Sequence, residues 1–164
     1  MVRRAADVLP ARKSRAPKWG SLSDAGRALY EANALDRVEI VKAGVPASFV
    51  TTVTRDLGLA KERFYGMTGL ARATVDRKVA RRELLNPSES ERLVGFAELV
   101  GQAESLVRES GSAADFDGAH WIAAWLEAPH PALAGRRPGD LMDTADGRGL
   151  VRNLLARQQS GAYG

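Results

Sequence analysis

The sequence predicts an all-α protein, and three observations carry that prediction. Apolar residues recur at spacings of three and four through most of the chain, strict alternation is almost absent, and Gly, Pro and capping residues punctuate the periodic segments. The chain has 164 residues and a mass of 17.6 kDa, room for one ordinary domain or two small ones sharing a core. A chain of this length buries enough surface to fold without a disulfide or a metal. It contains no cysteine, which excludes a disulfide framework, a thiolate metal site and a cysteine nucleophile together. No run reaches the roughly 18 apolar residues of a membrane helix, and the N-terminus lacks a secretory h-region, so the expected location is cytoplasmic.

The elements follow in order. Residues 1–20 form a basic, flexible tail, with Pro10, Pro17 and little periodic apolar content. Ser21 or Ser23 caps a helix that places Leu22, Ala25, Leu29 and Ala32 on one face and ends near Asn33. Val38, Ile40 and Val41 fit either an extended segment or a helical turn, closed by Gly44. Phe49, Val50, Val53 and Leu57 recur at helical spacing up to Gly58. A short helix spans about 61–67, Gly69 marks a turn, and a second helix spans about 71–82. Asn86-Pro87-Ser88 opens the clearest amphipathic helix, with Ser88 and Glu91 spaced as a capping box and Leu93, Phe96, Ala97, Val100, Ala103 and Val107 on its apolar face. Gly111 and Ser112 end it. Phe116, Ile122, Trp125 and Leu126 form the next helix, which Pro129 and Pro131 terminate. A short helix over 138–143 and a last one over 146–159, with Leu150, Val151, Leu154 and Leu155 facing inward, complete the chain. The expected organisation is a tail at 1–20, a helical domain at 21–108 with a helix-turn-helix at about 61–82, and a second domain at 109–164.

Charge is unevenly placed. The first twenty residues carry Arg3, Arg4, Arg12, Lys13, Arg15 and Lys18 against Asp7, a local +5. That composition fits a transit peptide, a nucleic-acid arm or a solvating tail. Residues 71–82 are +4, and residues 83–135 are −7. A basic helix beside an acidic body suggests one surface for phosphate and a different surface for another partner.

Two helices joined at Gly69, the second basic, make the pattern of a helix-turn-helix. Phe64, Leu70, Val75 and Val79 can lock the pair at a fixed angle, leaving Arg72, Thr74, Arg77, Lys78 and Arg81 as the DNA-binding face. Bulky Tyr65 stands where such motifs usually keep a small residue. A structural hairpin without DNA contact fits the same residues. The catalytic inventory is poor: His120 and His130 are the only histidines and make no helical metal pair, and Asp115 and Asp117 at a helix start have the pattern of caps. Trp19, Trp121 and Trp125 suit core or interface, and no phosphate-cradling glycine motif is present. No enzyme, cofactor or metal site is expected.

The C-terminal half carries Ala124-Trp125-Leu126, Pro129-His130-Pro131-Ala132-Leu133, Gly135-Arg136-Arg137-Pro138 and Asp140-Leu141, closing in Gly161-Ala162-Tyr163-Gly164. These strings resemble the toxin-binding domain of the Xre/MbcA/ParS antitoxins. Leu57-Gly58-Leu59 and the run Asn86-Pro87-Ser88-Glu89-Ser90-Glu91-Arg92-Leu93 resemble the same family's DNA-binding half. The resemblance covers roughly residues 36–164. It implies a bacterial antitoxin partnered with a RES-domain toxin that consumes NAD, and a homodimer that represses its own operon by binding operator DNA. The residues expected at the toxin are Trp125, the basic set Arg136, Arg137, Arg148, Arg152 and Arg157, and the tip Tyr163 and Gly164. A slim Gly-Ala-Tyr-Gly end can enter a pocket, and arginines can pair with carboxylates there. A stand-alone helix-turn-helix regulator, and an enzyme built on Asp115, Asp117 and His120, are the alternative readings.

Overall fold

The computed structural model describes residues 16–111 and 114–159. Among them are eight α-helices and two short 3-10 turns, with no strand. The only sheet-like feature described is a single antiparallel bridge between Pro46 and Leu84.

Helix α1 (Leu22–Glu31) starts at Ser21, whose hydroxyl accepts from the Asp24 amide, and α2 (Ala34–Ala43) starts at Asn33, which accepts from Asp36. The ambiguous segment around Ile40 is therefore helical. Helix α3 (Phe49–Leu57) ends at Gly58 and α4 (Lys61–Thr68) at Gly69, both left-handed, a conformation that costs glycine least. Helix α5 (Arg72–Ala80) follows at once. The chain then passes the bridge, where Leu85 donates to Val45 at 2.8 Å and Ala47 donates to Glu83 at 3.0 Å.

Helix α6 (Pro87–Glu109) runs through the middle of the molecule, with Leu93, Phe96, Ala97, Leu99 and Val100 fully buried. Its capping box is formed by Asn86 and Glu89, each side chain meeting the other's amide at 2.8 Å, and not by Ser88 and Glu91. Pro87 decides the register, because its fixed φ and missing N–H suit the first helical position and make Asn86 the cap. Helix α7 (Gly118–Glu127) is capped by Asp117, and α8 (Ala145–Gln159) closes the described chain. Between them, Pro131–Leu133 and Pro138–Leu141 form 3-10 turns. Val151, Leu154 and Leu155 of α8 are buried, but Leu150 is 49% exposed, so it lies off the inward face predicted for it.

One core serves the whole body. Phe49, Phe64 and Phe96 are fully buried, each worth roughly 1.5–3 kcal/mol relative to exposure, and Ile122, Leu126 and Val151 of the C-terminal part join the same cluster. Most of the expected tail, residues 1–15, lies outside the described residues. Within its inner end Pro17 is buried and Trp19 packs edge-on against Phe49 at 4.8 Å, so apolar burial brings the ordered body out to at least residue 17.

Candidate functional site

The left-handed Gly69 turns α4 into α5, and Phe64, Leu70 and Val75 are buried in the common core, with Val79 half-buried against it. Tyr65 is accommodated by reaching sideways. Its hydroxyl donates to Asp76 Oδ1 at 2.9 Å, tying α4 to α5, and burial together with this bond pushes the phenol above its ordinary range. The other Asp76 oxygen lies 3.5 Å from Arg72, which also pairs with Glu62 at 2.5 Å.

The outward stripe of α5 consists of Arg72, Ala73, Arg77 and Ala80, with Arg81 just beyond the helix. Two of the residues expected on that face are less exposed than the rest. Thr74 is half-buried. The Lys78 ammonium lies 2.6 Å from Glu89, both side chains only 14% exposed, so it fastens α5 to the capping box of α6. That reassignment is physical: an acidic partner at the start of the next helix attracts the lysine inward, leaving Arg72, Arg77 and Arg81 as the accessible cations.

In the C-terminal part, Phe116, Trp121, Trp125 and His130 form a row of ring contacts at 6.0, 6.2 and 6.4 Å, with the two tryptophans stacked at an interplanar angle of 11°. Trp125 is half-buried, and its Nε1 is buried with no hydrogen-bond partner among the described residues. His130 accepts from the Ala132 amide at 3.2 Å and so caps the first 3-10 turn. Arg136, Arg137 and Arg157 are exposed, with Arg137 reaching Glu127 at 3.2 Å. Arg152 pairs with Glu98 at 3.3 Å while remaining half in solvent. Arg148 departs from the expected set: it is buried, its stem lies against Gly95, and its guanidinium donates to the Met142 carbonyl and meets Glu91, each at 3.3 Å. Burial pulls its pKa down against the opposing pull of Glu91. Arg148 therefore holds α8 to α6. Gly147 lies inside the first turn of α8, and a Cβ there would collide with the Leu141 carbonyl. Tyr163 and Gly164 lie outside the described residues.

The two candidate surfaces are joined by a residue the sequence did not single out. Arg63 of α4 lies 2.6 Å from Glu127 at the end of α7 and 2.8 Å from Asp140 in the second 3-10 turn. Burial alone would lower the Arg63 pKa, but hydrogen bonds to Asp140 and Glu127 outweigh it and raise it. Gly139 sits directly under Met67 of α4, and Arg92 donates to the Thr68 and Gly69 carbonyls. Pairs separated by 64 and 77 positions leave no trace in local periodicity.

The Asp115, Asp117 and His120 cluster lines an open cleft of about 610 Å³ with Asp56 and Glu104. Asp117 is occupied as a cap, accepting from the His120 amide at 3.1 Å and meeting its ring at 2.9 Å. Among the described residues no group of three or more potential ligands is placed to hold a metal ion, and no helix is long and apolar enough to cross a membrane.

Residues 113–161 match the family model of the antitoxin Xre/MbcA/ParS C-terminal toxin-binding domain, and residues 36–98 match that of the antitoxin Xre-like helix-turn-helix domain. The chain is also 41% identical, over 137 residues, to a protein of Sphingobium sp. (strain YBL2) named Prs ADP-ribosylating antitoxin; the alignment covers 84% of this chain and 86% of that relative.

Proposed function

Because this chain belongs to the Xre/MbcA/ParS family of antitoxins, with an Xre-like helix-turn-helix domain before the toxin-binding domain, we propose that it neutralises a cognate RES-domain toxin by occupying its active site. The observation that carries this reading is the toxin-binding match over 113–161. There Arg136, Arg137 and Arg157 stand in solvent, and the chain continues past Gln159 into Gly161-Ala162-Tyr163-Gly164. Arg152 belongs to this surface through its exposed half, and Trp125 through the half of its ring that reaches solvent. The name of the Sphingobium relative refers to ADP-ribosylation, a transfer that draws on NAD, and so favours a toxin that consumes NAD.

The toxin is inhibited by occlusion. Two copies of the antitoxin also repress their own operon, Arg72, Arg77 and Arg81 of the α5 region meeting operator DNA in the bacterial cytoplasm. The test is co-expression of the full chain with its cognate RES-domain toxin, reading growth and cellular NAD. Preserved NAD and recovery of the two proteins as one complex are expected. Unrelieved NAD loss despite soluble antitoxin would overturn the reading.

A further inference from the structure

Helix α2 is poorly covered by the rest of the molecule. Only Ile40 is buried, whereas Leu35 is 69% exposed and Val38 44% exposed on a single stripe that ends at Lys42. Beside this ridge lies a groove of about 660 Å³ between α2, α6 and α8, walled by Val38, Val41, Val94, Gly95 and Gly149. Its floor is the ion triad in which Glu98 meets Arg37 at 2.9 Å and Arg152 at 3.3 Å.

We propose that this face is where a second copy of the chain docks, the Leu35 and Val38 ridge of each copy entering the groove of the other. Ridge and groove lie next to each other on one surface, which is what a two-fold contact requires, because each copy must present both halves of the fit. The charges follow the same symmetry. Asp36 stands in the first turn of α2 and Lys42 in its last, so an antiparallel pairing of the two helices centred on Glu39 sets Asp36 of each copy against the partner's Lys42 and opposes the helix dipoles. Arg72, Arg77 and Arg81 of the α5 region and the exposed Arg136, Arg137 and Arg157 contribute no residue to the groove, while Arg152 lies on its floor, paired with Glu98. This inference rests on the pairing of copies included in the proposed function. Its test uses antitoxin alone, so it can fail while toxin neutralisation stands.

The absence of cysteine makes the test direct. Glu39→Cys places a single thiol in the middle of α2, and mild oxidation of the full-length variant is expected to yield a covalent dimer on a non-reducing gel. Leu150→Cys, similarly exposed on α8 and absent from the groove lining, is expected to yield at least tenfold less. Light scattering of the wild type should give twice the chain mass, and Leu35→Glu with Val38→Glu should halve it without loss of helical circular dichroism. A monomeric wild type, or a dimer unchanged by the double substitution, would overturn the proposal. So would a Glu39→Cys thiol that stays reactive in antitoxin alone and is shielded only when toxin is bound, since the toxin would then be the occupant.

Discussion

Gly26 and Gly101 meet backbone to backbone where α1 crosses α6: a Cβ built on either would strike the main chain of the other helix. The crossing seats Leu22, Ala25 and Leu29 against the central helix. Gly101→Ala should therefore force the helices apart and lower unfolding free energy by on the order of 3 kcal/mol, even though alanine is the better helix former. Urea denaturation checks this, and a variant as stable as the wild type would refute the close approach.

Arg77→Ala should weaken operator binding by about 1–3 kcal/mol if the side chain reads a base, and binding should fall steeply with salt. Lys78→Ala should act differently. Its expected effect is on stability, between the roughly 1 kcal/mol of an exposed pair and the roughly 3 kcal/mol of breaking a buried one, because Glu89 loses its partner. Mobility shifts and thermal melts on the two variants separate the roles, and equal loss of DNA affinity at unchanged stability would reverse the assignment of Lys78.

How far the sequence alone reaches is visible in these two neighbours. Both sit on a basic helix, and local spacing cannot tell which one finds an acid on the next element. The helices themselves were legible, because caps such as Ser21 and Asn33 and the left-handed Gly58 and Gly69 act within a few residues. The spacing places the capping box two positions late because Ser88 and Glu91 repeat the spacing of Asn86 and Glu89; Glu91 is instead engaged by Arg148 from 57 positions away. Arg148, whose composition and spacing suit a toxin-facing surface, and Arg63, which no local pattern marks, are alike: their roles are set by partners that only the fold brings near.

Removing residues 160–164 should leave helicity, melting temperature and operator binding within error of the wild type, since terminal residues add little to a core. Protection in co-expression with the toxin should fall sharply, read as loss of growth and of cellular NAD. Full protection by the shortened chain would move neutralisation onto the arginines around residues 136–157.

Asp117 gives a pH signature. The His120 amide above all holds its carboxyl below the ordinary value of 3.8; burial opposes it, and the His120 ring adds a smaller lowering. A carboxyl lowered in this way stabilises the fold above its unfolded pKa and loses that contribution as pH falls through the folded one. Asp117→Asn keeps a capping oxygen but removes the charge, so its stability should decline less steeply than that of the wild type between about pH 4 and pH 2. Parallel acid-denaturation curves would show that the carboxylate does not contribute.

Arg63 has a consequence for exchanging parts between relatives. Its side chain starts in the helix-turn-helix and ends on Glu127 and Asp140, and Met67 rests on Gly139 a turn away. A chimera cut between α6 and α7 would carry half of this joint from each parent. Such hybrids should fold only when both parents supply matching halves, or when residues 63, 67, 127, 139 and 140 are transplanted as a set, so the interchangeable unit is larger than either domain.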